Sequence, residues 1–420
     1  MFPKILIYVL VLLGLTSCSQ PKPFHPEQSW QHFVQTVEDN YAYLDTAPVD
    51  WPALKAYYAE QAKQVNSEAE LVDLLQVVKQ FFMDPHFNVG PLNADDFSVT
   101  PTGSDIWATQ VDGVYVIERI KAESAAASSQ LQVGQRIVAI DGHTIEANIA
   151  KVFGETDSPL SNAHKLWAVN VALGGLRNGA RTIDIEAADG VVQKVHLAAT
   201  YEAINKLKEQ SALVVKEFGS IGYIRFNNNL GNSQTVDAFH EAITALSDTQ
   251  GLIIDLRNTP SGGNTGVAEP ILGHFVTEKS AYQKYRVQTA QQHYTEAPLQ
   301  TAFVTPTAPY YAKPFVVLAG RWTGSMGEGM TIGFDALGAK AIIGQPMADL
   351  LGGINQFTLP DSAITLELGF ERLYHVNGTF REDFVPQAPT PCDRQGEQGC
   401  DAELVEALRI LVNSPESELY

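Results

Sequence analysis

Residues 321–330 read RWTGSMGEGM and follow PFVVLAG, an apolar run with the composition of a buried parallel strand. Strand, short turn, serine and helix in succession set Ser325 at a strand mouth and a helix N-terminus. Helix-end amides there can stabilise an oxyanion, and the small residues Gly324 and Gly327 let a substrate backbone approach. The chemistry this supports is acyl transfer to a serine. The spacing is not Gly-x-Ser-x-Gly, so the hydrolase elbow motif does not apply, and a helix-capping serine reads equally well. A second stretch, GLIIDLRNTPSGGNTG (251–266), ends an apolar strand in Asp255, Leu256 and Arg257, then turns on Pro-Ser-Gly-Gly. Gly262 and Gly263 allow positive φ and expose backbone N–H groups, so with the Met326 N–H they can form an oxyanion hole; an ordinary turn is the alternative. A serine hydroxyl is a poor nucleophile without a base. The chain has ten histidines, and local pattern alone selects none: His240 lies in a helical stretch, and His164, His196 and His274 have no partner motif.

The surrounding elements fit an α/β scaffold. SIGYIRFNN, GLIIDLR, PFVVLAG and AKAIIGQP read as strands; SQTVDAFHEAITALSD, capped by Ser233, and TIGFDALG read as helices. Such alternation predicts a βαβ core. Upstream, GVYVIERI is a strand, AESAAASSQ a small-residue helix, RIVAI a strand and AHKLWAVNVALGGL a helix. RTIDIEAADGVVQKVHLAA is a hairpin about Asp189-Gly190. From Ser29 to about Phe82 three helical patterns follow one another. Ser29 is the expected first N-cap, Asp50 caps the second helix, and Ser67 with Glu70 forms a capping box on the third.

With 420 residues the chain exceeds one ordinary core, and its 45% hydrophobic content suits a folded protein. A formal charge of −20 disfavours nucleic acid as a partner. The leader MFPKILIYVLVLLGLTSCSQ has a basic start and an apolar run too short to span a bilayer. Its Leu-Thr-Ser-Cys ending resembles a bacterial lipobox, which implies cleavage before Cys18, lipidation of that thiol, and a periplasm-facing, outer-membrane location. An ordinary signal peptide is the alternative. In an oxidising compartment the remaining pair, Cys392 and Cys400 in one polar loop, reads as a disulfide, with metal binding as the rival.

IGYIRFNN, DLRNTPSGGN and GRWTGSMGEGM, in that order, resemble the C-terminal-processing (tail-specific) serine peptidase family, which includes the tricorn core protease and retinoid-binding relatives. GVYVIERI with SSQLQVGQRIVAIDG resembles the PDZ-like module of these enzymes, with Gly134-Gln135 where Gly-Asp is usual. FFMDPHFNVG resembles the Asp-x-His segment of the tricorn-like branch. The likeness runs from about residue 28 to residue 390. It implies an α/β multi-domain fold: a helical bundle (28–92), a PDZ-like β domain with its flanking hairpin (93–204) and a ClpP/crotonase-like βαβ core (205–391). Before these come a leader (1–17) and a tether (18–27); a C-terminal disulfide loop and helix (392–420) follow.

The resemblance implies His86 as general base and Glu382, in FREDFVPQAP, as the carboxylate that orients it; Asp383 and Asp84 are the alternatives. The branch that uses lysine does not fit, because GQPMADLLGGIN holds none and Lys340 starts a strand beyond a helix. Pro85 stands where the tricorn-like pattern has a serine. The expected activity is that of a serine-type endopeptidase, or carboxyl-terminal processing peptidase. It would act through an acyl-enzyme on Ser325, on peptide or unfolded protein, with no metal or cofactor motif present. A peptide- or lipid-binding lipoprotein on the same scaffold, or a hydrolase of non-peptide esters and amides, are the other readings.

Overall fold

The computed structural model describes residues 24–156, 159–187, 190–391 and 400–412. The leader with Cys18, the hairpin turn residue Asp189 and Cys392 lie outside these residues. Three helices open the fold: α1 (Pro26–Asn40), α2 (Trp51–Ala62) and α3 (Glu68–Gln80). α1 starts a turn earlier than expected. Pro26, with φ preset and no N–H to satisfy, occupies its first turn, and Ser29 is buried inside the helix. The other two caps form: Asp50 accepts from the Ala53 N–H at 3.1 Å, and Ser67 from the Glu70 N–H at 3.2 Å. The bundle closes around aromatic rings, among them Phe33, Tyr41, Trp51, Phe82 and Phe87.

After β1 (Asn88–Gly90) comes an antiparallel unit of β2 (Ile106–Val111), β3 (Val114–Ile120), β4 (Arg136–Ile140), β5 (His143–Thr144), α4 (Ile145–Phe153), α5 (Asn162–Gly174), β6 (Arg181–Glu186) and β7 (Val192–Leu197). Its strand order is β2-β3-β4-β6-β7, with β5 on β4, and it occupies the span expected to form the PDZ-like β domain. The expected small-residue helix is absent. Residues 122–130 form turns, because Ser124 and Ser129 hydroxyls bond the Lys121 and Ala126 carbonyls at 2.6 and 2.7 Å and close the chain locally.

The catalytic-core candidate follows α6 (Thr200–Lys208). Its elements are β8 (Leu213–Phe218), β9 (Ile221–Phe226), α7 (Gln234–Ala245), β10 (Gly251–Asp255), α8 (Thr265–Leu272), β11 (Ser280–Val287), β12 (Gln300–Val304), β13 (Phe315–Ala319), α9 (Met326–Ala336), β14 (Ala341–Gly344), β15 (Gly353–Thr358) and β16 (Thr365–Tyr374). Ser233 makes no side-chain cap on α7; Asn232 accepts from the Gln234 N–H at 3.0 Å instead. Strands order β14-β13-β10-β9-β8, all parallel except the β8 edge. One face packs on α7, α8 and α9; the other is covered by α10 (Ala402–Val412) through Ala407 and Leu411. Burial on both faces explains the uninterrupted apolar runs of β10 and β13.

A third sheet, β1-β16-β11-β12 with β15 on β16, has no counterpart in the sequence reading. It matters for the site. Asn88 pairs with Glu367 and Val89 with Leu366, so the bundle's end is stitched to the core two residues after His86. Phe87, fully buried between Phe82 and Tyr41 at centroid distances of 4.8 and 5.5 Å, anchors the same turn. Phe87→Ala is expected to cost about 3–5 kcal/mol, read as a lower urea midpoint.

Candidate active site

β13 ends at Ala319, and Thr323 fixes the turn beyond it: its hydroxyl donates to the Leu256 carbonyl at 3.0 Å and accepts from the Gly320 N–H at 2.9 Å. Ser325 follows with φ 51° and ψ −111°, half-buried at the head of α9. For a residue with a Cβ this backbone is strained, at a cost on the order of 1–3 kcal/mol. A strained strand-to-helix turn is the conformation that exposes a nucleophilic serine, and it arises here without the Gly-x-Ser-x-Gly spacing. Its hold is the Ser325 N–H, which donates to Glu328 Oε2 at 2.7 Å.

Glu328 is 2% exposed and accepts two further amides, Asp349 N–H at 3.0 Å and Leu350 N–H at 3.2 Å. The Arg381 guanidinium lies 3.7 Å away. Arg381 also donates to the Ser325 carbonyl at 3.3 Å and to the Leu350 carbonyl. Burial pushes the Glu328 carboxyl up from 4.5 to about 7, against the pull of Arg381 and of the Ser325 and Leu350 amides. In the sequence Glu328 stands out only as a neighbour of the serine. The capping-box spacing is the signal that could have found its role; its reach to residues 349–350 leaves none.

Gly262 sits directly against the serine. With φ +62°, a Cβ built on it would lie 2.4 Å from Ser325 Cβ, so only glycine fits. Of the three expected oxyanion donors, Gly262 is committed elsewhere: its N–H closes the turn to the Thr259 carbonyl at 3.0 Å. The N–H groups of Gly263 and Met326 donate to nothing among the described residues.

His86 reaches this region through the β1–β16 pairing. It is 5% exposed, and its Nδ1 bonds the Leu351 carbonyl at 3.0 Å. A carbonyl can only accept, so the ring proton sits on Nδ1 and Nε2 keeps its lone pair. Burial, joined by the Arg381 charge, pushes the imidazole down to about 4, so the ring is neutral at ordinary pH. Ser325 and His86 share no direct hydrogen bond. They are joined through Glu328 and residues 349–351.

Glu382 is not hydrogen-bonded to His86. Its carboxylate pairs with Arg372 Nη2 at 2.8 Å, and the imidazole nitrogen it was expected to hold is taken by Leu351. The physical reason is Arg372 itself. It is 2% exposed, boxed by the Tyr43 and Phe380 rings at 4.3 and 4.2 Å, and draws in the nearest carboxylate. Asp383 belongs to the same single 3-10 turn, and Asp84 lies beneath His86, accepting its backbone N–H at 2.8 Å. Lys340 is exposed just before β14, its N–H on the Phe315 carbonyl where β13 begins, at the other end of that strand from the Ser325 turn. Cys400 is disulfide-bonded. No group of three or more His, Cys, Asp or Glu side chains among the described residues is arranged to hold a metal ion.

Two expected outcomes test this geometry. Because the Ser325 turn is strained, Ser325→Gly is expected to melt higher than Ser325→Ala, by about 1 kcal/mol in stability; equal melting would remove the strain. Glu328 has a folded pKa above its unfolded one. The stability tied to its protonation is therefore fully present below pH 4.5 and lost as pH rises through about 7. Glu328→Gln is expected to lose less stability than wild type between about pH 5 and about pH 7.5, read by urea midpoints. Asp84, also pushed up to about 7 by burial, keeps its own share of the slope in both proteins.

Residues 220–385 match the model of peptidase family S41, and residues 25–79 match that of the tricorn protease C1 domain. No curated protein matches the chain. Among solved structures, mature CPAF complexed with lactacystin aligns with TM-score 0.58 and 14% identity, over 86% of this chain and 93% of that one. The photosystem II D1 C-terminal processing protease aligns with TM-score 0.56 and 17% identity, over 94% and 99%. A putative peptidase from Parabacteroides merdae ATCC 43184 aligns with TM-score 0.56 and 15% identity, over 94% and 99%. At these identities the structures show a shared fold, while the matched segments carry the assignment: residues 220–385 are a peptidase family S41 segment, preceded by N-terminal helices similar to the tricorn C1 domain.

Proposed function

We propose that this peptidase is serine-type and hydrolyses peptide bonds through an acyl-enzyme on Ser325. The observation that carries the reading is the strained Ser325 turn packed against Gly262, with the adjoining Gly263 and Met326 amides uncommitted among the described residues. Ser325 Oγ attacks the scissile carbonyl, and neutral His86 takes the hydroxyl proton on Nε2. Negative charge on the carbonyl oxygen is met by the Gly263 and Met326 N–H groups, the latter reinforced by the α9 dipole. His86 returns the proton to the leaving amine, and water then cleaves the ester by the same base. The Leu351 carbonyl holds Nδ1–H throughout and stabilises the imidazolium.

The substrate class is an extended peptide or unfolded protein, presented by the PDZ-like module through strand addition and cleaved near its C-terminal end. The leader supports a lipid anchor on Cys18 and a periplasm-facing, outer-membrane position. Among the described residues no helix is long and apolar enough to cross a membrane.

The test is a fluorophosphonate probe on the detergent-solubilised full chain, with the adduct located by mass spectrometry. Labelling is expected at Ser325, to vanish in Ser325→Ala and to slow about 100-fold or more in His86→Ala. Glu382→Gln is expected to lower stability, because it leaves buried Arg372 without its carboxylate, yet labelling of the folded enzyme is expected to stay within about tenfold of wild type, less than the loss of a general base. A loss matching His86→Ala would restore Glu382 as the orienting group. No labelling of the wild type would favour a binding protein on this scaffold.

A further inference from the structure

Nucleophile and base come from residues 325 and 86, and no hydrogen bond joins them directly. What lies between them is a three-residue strap, Asp349–Leu351, bracketed by positive φ at Asp349 (59°) and Gly352 (75°). Its three successive N–H groups all end on buried carboxylates. Asp349 and Leu350 donate to Glu328, and Leu351 donates to Asp84 Oδ1 at 3.4 Å. Its carbonyls face the other way: Leu350 accepts from Arg381, and Leu351 holds His86 Nδ1. Gly352 allows the strap to lie this close, since a Cβ there would meet the Glu371 carbonyl at 2.5 Å.

Asp84 is 3% exposed and does more than cap its own turn. Oδ1 accepts both the His86 N–H at 2.8 Å and the Leu351 N–H, while Oδ2 accepts the Tyr41 hydroxyl at 2.8 Å. An Asx turn needs only the first of these bonds and can stay in water. Sinking the carboxylate among α1, the His86 segment and the strap makes sense if one group must register all three. We propose that Asp84 is a positioning residue for the peptidase reaction, fixing the His86 backbone and the Leu351 carbonyl in one frame so that the imidazole is held at both ends. This rests on His86 being the base.

The role is geometric, and three substitutions separate it from charge and from folding. Asp84→Asn keeps an Oδ1 for the two amides, and the amide nitrogen it introduces can donate to a turned Tyr41 hydroxyl. Asp84→Ser leaves a hydroxyl that can still bond the His86 N–H locally but cannot span to Leu351 or Tyr41. Asp84→Ala keeps nothing. In the full chain with the fluorophosphonate probe, Asp84→Asn is expected to keep the maximal inactivation rate within about threefold. Asp84→Ala and Asp84→Ser are expected to lose about 100-fold in that rate with probe affinity unchanged, as for a base displaced by about 1 Å. If the alanine variant does not fold, the serine variant decides. The proposal is overturned if Asp84→Ser labels like wild type, or if Asp84→Asn loses as much as Asp84→Ser. Failure of the underlying reading shows elsewhere, as an unlabelled wild type or labelling indifferent to His86→Ala, and takes the proposal with it.

Discussion

Taking a carboxylate out of water costs several kcal/mol unless donors replace the lost hydration. At Glu328 the donors are three backbone amides, one from the serine turn and two from a loop over twenty residues on, with Arg381 behind them. The site depends on this exchange. The Ser325 turn has a backbone a side chain resists, and the helix end alone offers no reason to adopt it. The amide that this conformation turns inward meets an acceptor that has few other ways to be satisfied. Strain at the serine and desolvation at the glutamate are thus offset by one set of bonds.

The base is placed by topology at longer range. A three-residue strand after His86 would be marginal alone, but it adds to β16, the hub of the third sheet, which also pairs with β15 just after the strap. Residues 86 and 351 therefore meet because both segments are edges laid on one strand. The bundle's aromatic core then fixes the angle, with Phe87 on one side of the turn and Tyr41 reaching Asp84 from just past the end of α1.

How much of this was legible follows from which parts are local. The strand–turn–serine–helix order and the Gly262–Gly263 turn could be read directly, because composition and turn chemistry encode them within a dozen residues. His86 could not; it needed the likeness to a family, since nothing within ten residues of it announces a partner. The Leu351 carbonyl was invisible in principle, because a backbone group leaves no residue type to recognise. Glu382 was misplaced relative to His86 for a related reason: the guanidinium that captures it lies ten residues upstream, on a strand of the unforeseen third sheet. The local errors have local causes. Serines of AESAAASSQ bond their own main chain, Asn232 outcompetes Ser233 as a cap, and Pro26 starts a helix before Ser29 can.

Two buried carboxylates pushed up to about 7 are a poor way to stabilise a fold near neutral pH. Apolar residues of similar size would serve stability better, but an apolar side chain accepts no amide. The strap would then lose the three bonds that space it, and its carbonyls would no longer be fixed against His86 and Arg381. The same burial that raises the acids keeps His86 neutral, which a general base requires. Dry surroundings therefore act in opposite senses on the two kinds of group: they hold the base ready and make its supports costly. A site that must keep one imidazole uncharged and two loops in register meets both needs with buried acids, each holding backbone donors from separate segments, at the expense of stability.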